Sequence, residues 1–262
     1  MRKLLLSAVL MLFTQVAAAA TLKETIDRTF DVRPGANVEL SNVNGSVTVK
    51  AWDQPRVRVV ARKEVETERD QLQQAMKELR VEFQQRDGGL VITTHYPNER
   101  GASSIFDWLL GNDIDAQVTY EVTVPRNMNV DVENTNGGIY LSDVTGKHEL
   151  DTTNGKISVA RCAGSLDATT TNGGIDAELT KVSKGQPMRF ETTNGRISVA
   201  VPPDFAADID ASTTNGSIRT DLPVTTRSAG DNSLRGKING GGTLIRMRTT
   251  NGGIALKTLG NS

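Results

Sequence analysis

The side chains whose spacing could support chemistry in this chain are carboxylates. With the Asn of each Thr-Asn-Gly triplet as position zero, position −3 holds Glu133, Asp151 and Glu191, and Thr169 interrupts the row. Acidic groups projecting from successive turns of a β-helix can act as the paired acid and base of glycosidic cleavage. Asp143, Asp167 and Asp176 stand at other positions, and a solvated strand face produces the same scatter. His95 and His148 are the only histidines. No His-Glu-x-x-His, Cys/His cluster, P-loop or Gly-x-Ser-x-Gly occurs, so zinc, nucleotide and serine-hydrolase chemistry have no residues to rest on. No EF-hand or glycine-rich calcium repeat occurs either. The sequence therefore leads us to expect no catalytic residue, no metal and no cofactor.

These residues sit in a repeat. Thr-Asn-Gly occurs at Asn136, Asn154, Asn172, Asn194, Asn215 and Asn251, with separations of 18, 18, 22, 21 and 36 residues. Position +3 is always Ile, from Ile139 to Ile254, and +5 holds Leu141, Val159, Ala177, Val199, Thr220 and Leu256. Upstream, −4 holds Val132, Leu150, Ala168, Phe190, Ala211 and Met247, and −6 holds Val130, His148, Leu166, Met188, Ile209 and Ile245. Period two on both sides of the corner means two strands, each with one buried face. A second corner follows at Gly146 or Gly164, which completes a circuit of 18 residues.

Such circuits stack most economically as coils of an all-β solenoid, or β-helix-like repeat, whose two strands per coil close a core between them. An antiparallel hairpin meander or sandwich built on type I′ Asn-Gly turns is the alternative, although no later helix is available to cover its apolar face. In a stack, the six asparagines would form a ladder of side-chain amides, with Asn and Gly both tolerating a left-handed corner. Fainter copies surround Asn44-Gly45 and Asp87-Gly88, while Asn239-Gly240 lacks its Ile and reads as a corner or bulge.

Three segments stand apart. Residues 1–20, with Arg2 and Lys3 before an apolar run and Ala17, Ala18, Ala19 and Ala20 after it, read as a secretory signal peptide, with a membrane anchor as the alternative. No cysteine at the cleavage site suggests a lipid anchor. Without Arg2 and Lys3 the chain has 28 basic against 31 acidic residues and no long run of either sign, so nucleic acid is not an expected partner. Residues 66–80 place Leu72, Met76 and Leu79 on one face of an amphipathic helix that could cap the stack. Residues 98–115 carry Phe106, Trp108 and Leu109, either a short capping helix or a patch for a partner. The expected organisation is a signal peptide (1–20), an N-terminal β region (21–126), and a repeat region (127–262) continuous with it. Cys162, the only cysteine, is either a core residue or a site of intermolecular pairing.

Residues 43–52 (VNGSVTVKAW), the strand YEVTVP at 120–125, the TNG-G-I repeats and GKINGGGTLIRMRTTNGGI at 236–254 together resemble the DUF4097 family, described as "putative adhesins". The resemblance spans roughly Phe30 to Leu259 and implies a bacterial periplasmic or secreted β-repeat protein. It supplies no catalytic residues. The leading expectation is a non-catalytic scaffold that binds an envelope macromolecule, protein or polysaccharide. A carbohydrate-active hydrolase or lyase is the alternative, and an envelope-stress sensor acting through the 106–110 segment is another.

Overall fold

The computed structural model describes residues 19–97, 114–182 and 185–260. Alternating apolar residues make nearly all of it strand. The N-terminal part forms β1 (Ala19–Asp31), β2 (Asn37–Ser41), β3 (Val47–Trp52), β4 (Arg56–Glu68), α1 (Leu72–Glu78), β5 (Arg80–Arg86), β6 (Gly89–His95) and β7 (Asp115–Pro125). The first repeats form β8 (Asn129–Asn136), β9 (Ile139–Ser142), β10 (Thr145–Asn154), β11 (Ile157–Asn172), β12 (Ile175–Val182), β13 (Met188–Asn194) and β14 (Ile197–Val201). The remainder forms β15 (Ala207–Asn215), β16 (Ile218–Thr220), β17 (Val224–Gly230), β18 (Ser233–Ile238), β19 (Thr243–Asn251) and β20 (Ile254–Thr258).

Pairing decides between solenoid and meander. The strand before each corner pairs in parallel with its counterpart in the next unit: β8 with β10, β10 with the second half of β11, and that half with β13. The strand after each corner does the same, β9 with the first half of β11, that half with β12, and β12 with β14. Ile139, Ile157, Ile175 and Ile197 are consequently successive partners. The repeats are coils, and no Asn-Gly corner among them is a hairpin. The twenty strands of the described residues join one sheet, which folds over at the corners into two layers.

Stacking order departs from chain order at both ends. Strand β19 lies between β13 and β15, and β20 between β14 and β16, so the last coil is inserted inside the one before it. The β17–β18 hairpin then closes the first layer beyond β15. At the other end β6 and β7 lie outside β2 and β3, and antiparallel β4 and β1 extend the second layer.

The −6, −4, +3 and +5 positions face one another across a single apolar cluster, with His148 the polar exception among the −6 residues, Ile218 half-buried and Thr220 lost from it. Each buried Ile is worth about 1.5–3 kcal/mol, which makes this apolar ladder the main source of cohesion.

Two sequence expectations need correction. The helix expected over 66–80 is confined to Leu72–Glu78, because residues 66–68 continue β4 and pair with β1, while Arg80 begins β5. Strand pairing overrides the local helical period there, yet Leu72, Met76 and Leu79 are buried as their spacing predicts. Asp87-Gly88 is not a coil corner. Strands β5 and β6 pair antiparallel around it, with Asp87 at φ 53 and Gly88 at φ 79, as a type I′ turn demands.

Candidate functional site

Each Thr-Asn-Gly corner is built by contact between coils. The Nδ2 of Asn154 donates to Oδ1 of Asn136, Asn172 to Asn154, and Asn194 to Asn172, all at 2.8 Å. The chain of amides continues through Asn251 at 2.7 Å and ends at Asn215, in stacking order rather than sequence order. At the opposite end it includes Asn44, whose Nδ2 donates to the carbonyl of Ala116. The Thr at −2 has a role its β-branching does not announce: the hydroxyl of Thr170 donates to the carbonyl of Gly155 at 2.9 Å, and Thr152, Thr192, Thr213 and Thr249 make the same bond to their neighbouring coils.

At Gly173 and Gly195 the corner glycine has a different basis from the one expected. None of the ladder asparagines is left-handed, nor is either of these glycines, whereas Gly137 and Gly252 take a positive φ of 149 and 154. A Cβ on Gly173 would instead stand 2.0 Å from the carbonyl oxygen of Gly155, and one on Gly195 would stand 1.9 Å from that of Gly173. Close approach of successive backbones, not a special φ, excludes a side chain here.

The stack carries charge on the outer face of the first layer. Register places Glu39, Asp131, Glu149 and Asp167 in one row at position −5, followed by Arg189, Arg246 and Asp210. The −3 row places Glu133 beside Asp151, then Thr169, Glu191 and Arg248. Acidic residues therefore occupy one half of the face and arginines much of the other. In the basic half Arg189 pairs with Asp167 at 3.1 Å, and Arg235, Arg246 and Arg248 surround Asp210. In the acidic half, among the described residues, Lys147 reaches Glu149 at 3.7 Å while Glu39, Asp131, Glu133 and Asp151 have no ion-pair partner.

This crowding alters acidity. Partial burial, reinforced by Glu149, Glu133, Glu39 and Asp151, pushes the Asp131 carboxyl up to about 6. Partial burial, with Asp167 and Glu149 nearby, also raises Asp151. Asp131 can exchange a proton near neutrality and the row can attract cationic groups, but these carboxylates stand on an open face rather than in a cleft. Among the described residues no group of three or more His, Cys, Asp or Glu is arranged to hold a metal ion.

His148 lies inside the stack between Val130 and Leu166, and neither ring nitrogen has a hydrogen-bond partner in the protein. Burial lowers its pKa to about 4, opposed only in part by the backbones of Val144 and Ala163. Cys162 is buried and unpaired, its Sγ 3.5 Å from the carbonyl of Ala160, and burial raises its thiol to about 11. This is a core thiol rather than a reactive one. Phe106, Trp108 and Leu109 lie outside the described residues.

The family model described as Toastrack DUF4097 matches residues 36–257. No curated protein matches the sequence. Three solved structures align along nearly the whole chain. A "putative cell adhesion protein" from Clostridium sporogenes is 11% identical, with a TM-score of 0.47, over 90% of this chain and 100% of its own. A "putative adhesin" from Bacteroides fragilis is 11% identical, with a TM-score of 0.26, over 90% of this chain and 97% of its own. One from Parabacteroides merdae is 10% identical, with a TM-score of 0.32, over 92% and 97%.

Proposed function

The chain belongs to the Toastrack DUF4097 family, and we propose that it is a non-catalytic scaffold of the bacterial periplasm or exterior. It binds an envelope macromolecule, protein or polysaccharide, across the charge-divided outer face of its first layer. The observation that carries this reading is the unpaired acidic half, Glu39, Asp131, Glu133 and Asp151, held at strand spacing on parallel strands. A partner that presents cationic groups at a matching repeat would neutralise several carboxylates at once, gaining specificity and rate of encounter from complementarity. The apolar run and small residues of 1–20 support an exported location. No helix among the described residues is long and apolar enough to cross a membrane.

The test is capture from an envelope fraction by the chain without residues 1–20, compared with a variant carrying Glu39→Gln, Asp131→Asn, Glu133→Gln and Asp151→Asn. Loss of a captured component in the variant is expected; equal capture by both proteins would refute the assignment to this face.

The raised pKa of Asp131, about 6, favours one second reading, a carbohydrate-active enzyme using it as general acid. That reading requires release of sugar from envelope or exopolysaccharide preparations and its abolition by Asp131→Asn or Asp151→Asn. It ends if no preparation yields sugar.

A further inference from the structure

The second layer carries a separate feature on its outer face. Strand β20 lies between β14 and β16, and Gly253, just before it, and Ala255, its first outward position, project almost nothing. The coils on either side project Arg196 and Arg219, both exposed. Long side chains flanking a bare strand leave a trough. It is a cavity of about 340 Å³ lined by Arg196, Ser217, Arg219, Asp221, Ala255 and Lys257. The volume falls in the range of small-ligand sites.

Many cations of the stack find carboxylates on neighbouring coils: Lys156 meets Asp176 at 2.6 Å and Arg161 meets Asp143 at 2.7 Å. Among the described residues Arg196, Arg219 and Lys257 have no such partner, although all three line the same cavity. Asp221 is the one carboxylate in the lining against three cations, and like charges gathered on adjacent strands repel one another unless further negative charge lies between them.

We propose that this trough is a binding site for a hydroxylated oxyanion, a carboxylate or phosphate borne on a sugar-sized or glycerol-sized ligand. Arg196 and Arg219 stand two strand spacings apart and two residues out of register, Arg196 level with Gly253 and Arg219 with Ala255, about 12 Å at the backbone, so their guanidinium groups close on an oxyanion diagonally from opposite sides. Lys257 adds a third positive charge at the end of the floor. Ser217 and Asp221 supply partners for hydroxyl groups, and the backbone of Asp221 is held by its N–H bond to the Leu256 carbonyl at 3.1 Å. Gly253 and Ala255 allow the ligand to lie against the strand. The site arises only because the last coil is inserted between the two preceding it, which brings the bare strand between the two arginines.

The ligand group could belong to an acidic glycan or to a lipid headgroup, and two sets of probes separate these sources. Glucuronate and glucose 6-phosphate serve as soluble anions with glucose as the neutral control, read by amide chemical shifts of the isotopically labelled chain. Phosphatidylglycerol vesicles, with phosphatidylcholine as control, are read by co-sedimentation. Saturable binding of a soluble anion, with shifts centred on Gly253 and Ala255, identifies a glycan-type ligand; saturable binding confined to phosphatidylglycerol vesicles identifies a headgroup.

In either arm Arg196→Ser with Arg219→Ser weakens binding by at least about tenfold. Ala255→Leu, which fills the floor and leaves every charge in place, does likewise. The charge-matched pair Arg56→Ser with Arg126→Ser leaves binding unchanged. All these positions are at the surface, and unchanged circular dichroism verifies folding. Equal binding of glucose, no saturable binding of any probe, equal weakening by the charge-matched pair, or indifference to Ala255→Leu would each overturn the proposal.

Discussion

The corner at Asn172-Gly173 and the turn at Asp87-Gly88 use nearly the same dipeptide and do opposite things. Asp87-Gly88 reverses the chain into an antiparallel hairpin, whereas Asn172-Gly173 sends it across to the other layer, where it pairs with coils above and below. The hairpin turn obtains its shape from two left-handed residues. The coil corner obtains its shape from neighbours: an amide on each side of Asn172, a threonine hydroxyl on the carbonyl of Gly155, and a carbonyl where a Cβ would be. A turn dipeptide thus states that the chain changes direction, and the surrounding coils state which strand it then meets.

Substitution of the two glycines should separate the regions most. Gly173→Val must move a backbone carbonyl and is expected to cost about 3 kcal/mol or more. Gly88→Val meets the flexible side chain of Arg33 and pays mainly for its left-handed backbone, about 1–2 kcal/mol. Denaturant midpoints decide the matter, and equal losses would erase the distinction between corner and turn.

The histidines extend the comparison to pH. His95, on the hairpin, faces Glu82 at 3.0 Å at the surface, while His148 is enclosed in the stack. Because its folded pKa is depressed to about 4, the unfolded chain takes up a proton at His148 first as pH falls. Stability present above pH 6.5 is then lost progressively down to pH 4, by about 2–3 kcal/mol. His148→Leu should remove that loss, as read from melting temperatures across this range; an unchanged pH profile would show that His148 is not its source.

Thr170→Val deprives the half-buried Gly155 carbonyl of its threonine donor and should cost about 1 kcal/mol by the same denaturant measurement. Asn172→Ala breaks two exposed ladder bonds and should cost about 0.5–1 kcal/mol. Asp87→Asn should leave stability within about 0.5 kcal/mol of the parent, since Asn-Gly suits a type I′ turn at least as well. A loss at Asp87 comparable to that at Asn172 would mean that the hairpin, too, depends on something beyond its own backbone.

The strands and their inward residues were legible because alternation is local: Leu150, Phe190 and Ile197 point inward from period two alone. The identity of the ladder residues was legible for the same reason. Partners across coils were not. The hydroxyl of Thr170 looks like strand propensity until the Gly155 carbonyl is placed beside it. The exclusion of a side chain at Gly173 belongs to the distance between coils. The −5 row could have been found, since the same alignment that exposes Glu133 and Asp151 also places Asp131, Glu149 and Asp167 two residues upstream. The Arg196–Arg219 trough could not, because nothing local reports that the coil of Asn251 lies between those of Asn194 and Asn215. The family was legible in the repeats, whereas no motif in this chain announces a ligand for either face.

The central claim is a parallel stack with an inserted final coil, and engineered disulfides test it most directly. Register neighbours on parallel strands stand about 5 Å apart, within disulfide reach, whereas residues two coils apart do not. Glu191→Cys with Arg248→Cys should cross-link on mild oxidation, because β13 lies beside β19, and Glu191→Cys with Ser212→Cys should remain reduced. Cross-linking of the second pair in place of the first would restore sequential stacking, and cross-linking of neither would contradict the parallel stack itself.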